Sequence, residues 1–364
     1  MSVDIGIIGL PQSGRTTIFN ALTHGSGGGQ RTQEGYHVGM AKVPEPRLKG
    51  LADILHPHRI VPATVRYIDV SVSLKDLVSS KGGGQLLAEL TNVDALINVV
   101  RAFKDDSIPH VEGSIDVERD TANMDLELAF SDIALLERRL SRIEESLKGA
   151  KPQERQGLLR EQALLGKIKT ELEREVPMRS LELTDEDKRT LAGFQFLTAK
   201  PLLTVVNIGE DQLAGSASLE AELNSRHSRP KCRLLAVCGK IEKELAQLDD
   251  SEAQTLRSEF GIRESGADRI IKLSYGILGL ISFFTIASGE VRAWSVEQGT
   301  EAVKAAGKIH SDMERGFIRA EVLSYDDLAG CGNVAESRKK GLLRSEGKSY
   351  IVKDGDVITF LFNV

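Results

Sequence analysis

The sequence predicts an α/β protein: a mostly parallel sheet, interrupted by a helical hairpin and followed by a small β-rich domain. Three observations carry that expectation. The β-branched run Val3-Asp4-Ile5-Gly6-Ile7-Ile8 leads through a glycine-bounded turn into the helical stretch Ile18-Phe19-Asn20-Ala21-Leu22. Strand-like apolar runs then alternate with helical ones to about residue 280, the pattern of parallel strands joined by crossover helices. Between them, apolar residues recur every seven positions from Leu126 to Leu147.

The first turn reads Gly9-Leu10-Pro11-Gln12-Ser13-Gly14-Arg15-Thr16-Thr17. Two glycines with four residues between them, then a basic residue and a hydroxyl, make the P-loop pattern. Such a turn forms a nest of backbone N–H groups at a helix N-terminus, where the dipole favours anions. Gly9, Gln12, Ser13, Gly14, Arg15, Thr16 and Thr17 are therefore the candidate phosphate-binding residues, with Thr16 at the Mg²⁺-ligating position. Position 15 is arginine where the pattern has lysine. A planar, bulky guanidinium keeps the charge but does not thread between phosphate oxygens as a slim ammonium does. Arg15 is the candidate catalytic cation, with altered geometry. A strand-to-helix turn without a ligand is the alternative, and the flanking strand, the helix and Thr16 weigh against it.

The glycine-rich stretch from residue 25 reads as a loop in the place of a first switch. Thr32 is its nearest candidate metal ligand, and a solvated loop threonine reads equally well. Thr64-Val65-Arg66-Tyr67-Ile68-Asp69 is a strand that places Asp69 as a second candidate Mg²⁺ ligand, in the Walker-B position. The Asp-x-x-Gly companion is absent, since Asp69-Val70-Ser71-Val72 ends in valine. A β-branched residue resists the backbone flip that glycine allows. Glycines 82–84 read as a hinge or as a plain surface turn.

Asp94-Ala95-Leu96-Ile97-Asn98-Val99-Val100-Arg101 reads as a central strand. Leu126, Ile133, Leu140 and Leu147, with Ala129, Leu136 and Ile143 between them, then form heptads. Gly149 to Pro152 breaks that helix, and Leu158, Leu165, Ile168 and Leu172 mark its partner. Arg138, Arg139, Arg142, Arg155, Arg160 and Lys167 on this hairpin could meet RNA phosphates; a solvated mixed-charge face fits the composition better. Pro201 to Asn207 returns to strand. Its end, Asn207-Ile208-Gly209-Glu210, stands where a guanine-specific NTPase carries Asn-Lys-x-Asp. Leu234 to Val237 is a further strand, and Cys238-Gly239 stands in the place of the second base-contacting loop. Asn207, Ile208, Glu210, Cys238 and Gly239 are the candidate base-side residues. Nucleotide would lie at the carboxyl ends of the strands. Beyond residue 280, short strands between glycine turns suggest a β-grasp-like domain, with Lys339, Lys340, Arg344, Lys348 and Lys353 forming a basic side.

Composition bounds the rest. Of 364 residues, 41% are hydrophobic, and the net charge is −6, which does not advertise a nucleic-acid binder. No apolar run approaches the about 20 residues of a membrane span, and no basic, apolar leader precedes the first strand. Cys232, Cys238 and Cys331 make neither a disulfide framework nor a metal cluster. The expectation is a reduced, cytoplasmic protein with no membrane partner.

With these pieces in order, the chain resembles the YchF family, the Obg-like ATPases related to translation-factor GTPases. Gly9-Leu10-Pro11 with Phe19-Asn20-Ala21-Leu22-Thr23, Pro44-Glu45-Pro46-Arg47-Leu48, and Glu137-Arg138-Arg139-Leu140 carry the likeness. So, more specifically, do Glu290-Val291-Arg292-Ala293-Trp294, Ala305 to His310, Gly316 to Val322, and Asp354-Gly355-Asp356. The resemblance implies a P-loop NTPase G domain over residues 1–280, with a hairpin inserted at about 125–198, and a TGS domain over 281–364. It implies Mg²⁺ and ATP, with ATP bound in preference to GTP because Asn207…Glu210 fits the family's Asn-x-x-Glu. It also implies association with the ribosome or its RNA, and a role in translation or stress control. Arg15, the missing glycine after Asp69 and the altered context of residues 25–35 depart from the family at the triphosphate end, and Ser73 stands where relatives carry an apolar residue. A slow ATPase is therefore the first expectation, a hydrolysis-impaired nucleotide-binding ribosome adaptor the second, and an Obg-type GTPase the third.

Overall fold

A computed structural model of the chain describes residues 3–23, 30–31, 36–70, 84–226 and 229–363. The elements begin with β1 (Val3–Ile8), α1 (Arg15–Thr23), β2 (Gln30–Arg31), β3 (His37–Lys42), α2 (Pro46–Leu55), β4 (Arg59–Val61) and β5 (Thr64–Asp69). Next come α3 (Gly84–Asn92), β6 (Ala95–Arg101), the long helices α4 (Val117–Leu147) and α5 (Pro152–Glu173), α6 (Asp185–Leu191) and β7 (Leu202–Asn207). They continue with α7 (Ser216–Arg226), β8 (Cys232–Val237), α8 (Gly239–Leu245), α9 (Asp250–Glu259) and α10 (Gly266–Leu278). The chain ends with β9 (Leu280–Ala287), β10 (Glu290–Glu297), α11 (Ala302–Ile309), α12 (Ser311–Arg315), β11 (Phe317–Ser324), α13 (Tyr325–Cys331), α14 (Val334–Lys339), β12 (Arg344–Glu346) and β13 (Asp356–Phe362).

These elements fall into two compact units, one of Val3–Met40 with Arg66–Ile270 and one of Ala41–Val65 with Ile271–Val364. The first is built on a seven-stranded sheet of order β2-β3-β5-β1-β6-β7-β8. β1, β6, β7 and β8 run parallel, in register from Ile8 beside Asn98 to Asn207 beside Val237. Every residue of β6 and β7 is buried, which is why both read as nearly continuous apolar runs rather than alternating ones. The α/β class expected from the sequence is the class observed.

The hairpin occupies the crossover between β6 and β7. Ala129, Leu136 and Ile143 of α4 are buried against Leu165, Ile168 and Leu172 of α5, while Ile133, Leu140 and Leu147 border that core. Helix α4 starts earlier than the heptads announce. Asp116 caps it, its carboxylate accepting the Arg119 N–H at 3.0 Å. Asp132 ties α4 to the segment entering β7: its carboxylate accepts the N–H groups of Leu197 and Thr198 and the Thr198 hydroxyl. Burial pushes this carboxyl up to about 6 against those three hydrogen bonds.

The second unit holds a six-stranded sheet of order β12-β11-β13-β9-β10-β4. Helix α11 packs Ala302, Ala305 and Ala306, all fully buried, against Phe283, Val322 and Ile358 of that sheet. Small side chains let the helix backbone lie close to the strands. The sequence reading places residues 41–65 within a domain running to 280. In the structure they belong to the C-terminal unit, because β4 adds to its sheet beside β10, with Val291 next to Ile60. The Pro44-Glu45-Pro46-Arg47 stretch has its place here. Glu45 caps α2 with Pro46 in the first turn, and Arg47 bridges Glu45 and Asp354 at 2.7 and 2.8 Å. Hydrogen bonding to Glu45, ahead of the bond to Asp354, raises the Arg47 pKa.

Candidate functional site

The site lies in the first unit, where β1, β5, β6, β7 and β8 end along one edge of the sheet. β1 stands between β5 and β6, so the turn leaving it opens at the centre of that edge, the usual place for a ligand in a parallel sheet. The turn demands its two glycines. A Cβ on Gly9, at φ 151°, would lie 2.4 Å from the Val99 carbonyl oxygen. One on Gly14, at φ 92°, would lie 2.1 Å from Asn207 Nδ2. Between them Gln12 is exposed with φ 63°, and the Ser13 N–H returns to the Leu10 carbonyl at 3.3 Å.

The room left by Gly14 is filled by Asn207. Its Nδ2 donates to the Ser13 carbonyl at 3.0 Å, and its Oδ1 accepts the Gly239 N–H at 2.9 Å. One buried side chain at the end of β7 therefore fixes the phosphate-type loop and the Cys238-Gly239 loop relative to each other. Cys238 is buried at the start of α8. Burial, as the first cause, raises its thiol pKa. Ile208 is buried in the apolar cluster with Val206, Leu234 and Ile241, and its N–H bonds to the Val237 carbonyl. Any base contact from Ile208 is thus limited to its remaining backbone. Glu210 is exposed and paired with Lys240 at 2.8 Å.

At the other end, the structure brings Thr16 and Asp69 together: the Thr16 hydroxyl donates to Asp69 Oδ2 at 2.8 Å. Asp69 is fully buried, and its Oδ1 has no hydrogen-bond partner among the described residues. The Ser13 hydroxyl is likewise buried without a partner there. An enclosed carboxylate oxygen beside a hydroxyl is the donor set that a hard divalent cation takes, so these residues fit Mg²⁺. Thr17 is half-buried on α1.

Arg15 does not extend from the turn as a free cation. Its guanidinium donates to the Val70 carbonyl. Burial lowers its pKa, opposed by the negative charges of Asp69 and Glu127. Two residues that motif reading passes over also stand here. His37, on β3, brings Nδ1 to 3.5 Å from Asp69 Oδ2. Phe103, just beyond β6, lies against Gly14 and under the Arg101 guanidinium, 4.5 Å from its ring centre. An aromatic directly after a buried strand is the signal that could have found Phe103; His37 gives no such signal. Thr32, the rest of residues 25–35 apart from 30 and 31, Val72, Ser73, and glycines 82 and 83 lie outside the described residues.

Residues 280–363 match the family model YchF-GTPase_C, described as a protein of unknown function (DUF933). Over its whole length the chain is 39% identical to a Bacillus subtilis protein named ribosome-binding ATPase YchF, covering all of both chains. It is 35% identical to the protein of the same name from Escherichia coli O157:H7, again over all of both. A solved structure titled Structure of the Schizosaccharomyces pombe YchF GTPase superposes with a TM-score of 0.83 at 28% identity, over 99% of this chain and 98% of that one.

The Gly14 contact gives a direct test of the geometry. Gly14→Ala forces the new methyl into the Asn207 amide at a backbone angle that side chains disfavour. It should lower unfolding stability by about 1–3 kcal/mol in urea titration. An unchanged midpoint would mean that the loop and Asn207 are not in contact.

Proposed function

The chain belongs to the YchF family, and from that premise we propose that it is a ribosome-associated protein that binds ATP with Mg²⁺ and hydrolyses it slowly. The observation that carries this reading is the clamp of Asn207 between Ser13 and Gly239, which joins a phosphate cradle to a base-side loop. Ribosome association is the property named in the bacterial relatives, and it comes to this chain through membership. Among the described residues no helix is long and apolar enough to cross a membrane.

Each end of the site has a definable task. Backbone amides of the Gly9–Gly14 turn and the N-terminus of α1 would receive phosphate oxygens. Thr16 and Asp69 would hold Mg²⁺, which supplies charge neutralisation on the phosphates when bound. Asp69 enters this arrangement already held by the Thr16 hydroxyl, so little ordering remains to be done.

Base choice follows from the loop after β7. Guanine recognition in this fold uses a short aspartate that accepts two hydrogen bonds from the base edge. Glu210 is longer and is engaged by Lys240, so that bidentate contact is missing. A pocket that lacks the matching polar group loses its discrimination for the base. This favours ATP over GTP and sets aside the GTPase reading.

Slow hydrolysis follows from Arg15. To meet a transferring phosphoryl group, the guanidinium must leave the Val70 carbonyl and the neighbourhood of Asp69 and Glu127. Phosphoryl transfer depends on positioning and charge placed in advance, and this cation is not placed in advance.

Two measurements follow. In titrations of the purified protein with labelled nucleotide and Mg²⁺, ATP should bind more tightly than GTP, and Glu210→Asp, which leaves the buried Ile208 in place, should move the preference toward GTP. A GTP affinity tenfold above that for ATP, about 1.4 kcal/mol, would contradict the assignment. In single-turnover assays, Arg15→Lys should hydrolyse ATP at least about tenfold faster, because an ammonium follows the phosphates without giving up protein contacts. Equal rates would show that Arg15 is not what limits hydrolysis.

A further inference from the structure

His37 stands at the candidate metal position without belonging to any motif of the site. Strand β3 carries it to the end of β5, and the ring of Phe19 lies 6.0 Å from its own, so the imidazole is packed against α1 rather than free to swing. Its Nδ1 is 3.5 Å from Asp69 Oδ2, and the Thr16 hydroxyl is 2.8 Å from the same oxygen.

Two of the atoms in this cluster are anomalous. Asp69 Oδ1 and His37 Nδ1 are both enclosed, and neither makes a hydrogen bond among the described residues. Buried polar atoms left in this state are rare and need an explanation, an ion being one of the standard ones. A divalent cation held by the Asp69 carboxylate would give His37 Nδ1 a partner, and the separations to test are those to Asp69 Oδ2. Donors in neighbouring positions on an octahedral ion, with bonds of about 2.1 Å, stand about 3.0 Å apart, and about 3.4 Å apart on a tetrahedral one. The separations of 2.8 and 3.5 Å already lie near those values. The other charged groups in the vicinity are Arg15, which acts on Asp69, and Glu127, which offsets Arg15.

We propose that His37 supplies an imidazole ligand to the nucleotide-bound divalent cation, alongside Thr16 and Asp69. An all-oxygen set suits Mg²⁺, whereas an imidazole nitrogen favours first-row transition ions. The site would accordingly hold such ions more tightly, relative to Mg²⁺, than a P-loop site with oxygen ligands alone. This inference rests on the metal–nucleotide reading of the same site, and the test separates the two.

The probe is Mn²⁺ with ADP on the full chain, observed by electron spin echo modulation and by displacement with Mg²⁺. The intact protein should show nitrogen modulation from a directly bound imidazole. That modulation should change on ¹⁵N-labelling of histidine and vanish in His37→Ala. The Mg²⁺ concentration that displaces half of the Mn²⁺ should fall about tenfold in the variant, within the range usual for altered metal-site residues. His37→Asn serves the same comparison if the alanine variant does not fold. Mn²⁺ bound with ADP but without imidazole modulation, or with the same displacement in protein and variant, overturns the proposal and leaves nucleotide binding intact. Absence of any Mn²⁺–ADP complex overturns both.

Discussion

Asn207 makes two hydrogen bonds, to the Ser13 carbonyl and from the Gly239 N–H, and the site depends on them. They cross from the end of β7 to the loops that follow β1 and β8, so three strand ends share one buried amide. The side chain is almost fully enclosed, where each such bond is stronger than at the surface and each unmade one more costly. Gly14 is required because a methyl group there would occupy the space of that amide. The residue that begins a base-reading motif is thus also the one that holds the phosphate loop. If nucleotide binds as proposed, substrate positioning and loop stability would be carried by the same contact.

Around this fixed frame the charges are arranged unevenly. At the loop after β7, Glu210 pairs with Lys240. The phosphate side concentrates Arg15, Asp69, His37 and Glu127 in a small, mostly buried volume. Arg15 is drawn into the protein by the Val70 carbonyl and by two carboxylates. A lysine in its place would have a more compact charge and fewer fixed donors. Binding asks only that the amides and the metal ligands be in place, whereas rapid hydrolysis asks that the cation be in place too. On the reading proposed above, a site with the first and without the second would bind nucleotide and hydrolyse it slowly.

Much of this was legible in the sequence because it is local. The Gly9–Thr17 turn, the Thr16 hydroxyl, Asp69 at a strand end and the Asn207–Glu210 loop are each short stretches whose spacing carries their meaning. The heptads of Leu136 and Ile143 likewise announce the hairpin. What stayed hidden depends on strand pairing between distant segments. Nothing in Arg59-Ile60-Val61 indicates that it will lie beside Glu290-Val291-Arg292, so residues 41–65 read as part of the wrong unit. His37 reaches Asp69 only because β3 is laid beside β5. The tie from Asp132 to Leu197 and Thr198 could not be read from heptads, which report the apolar seam and not the polar anchor at its base. Ile208 lies within the base loop of the sequence, yet its side chain belongs to the core.

The central claim is that nucleotide bridges the loops joined by Asn207. Amide hydrogen exchange of the full chain, with and without Mg²⁺ and ATP, tests it most directly. Ligand should slow exchange in three separate segments together, residues 9–17, 207–210 and 238–240, while the β9–β13 sheet is unaffected. Protection confined to one of those segments, or found only outside them, would contradict the account.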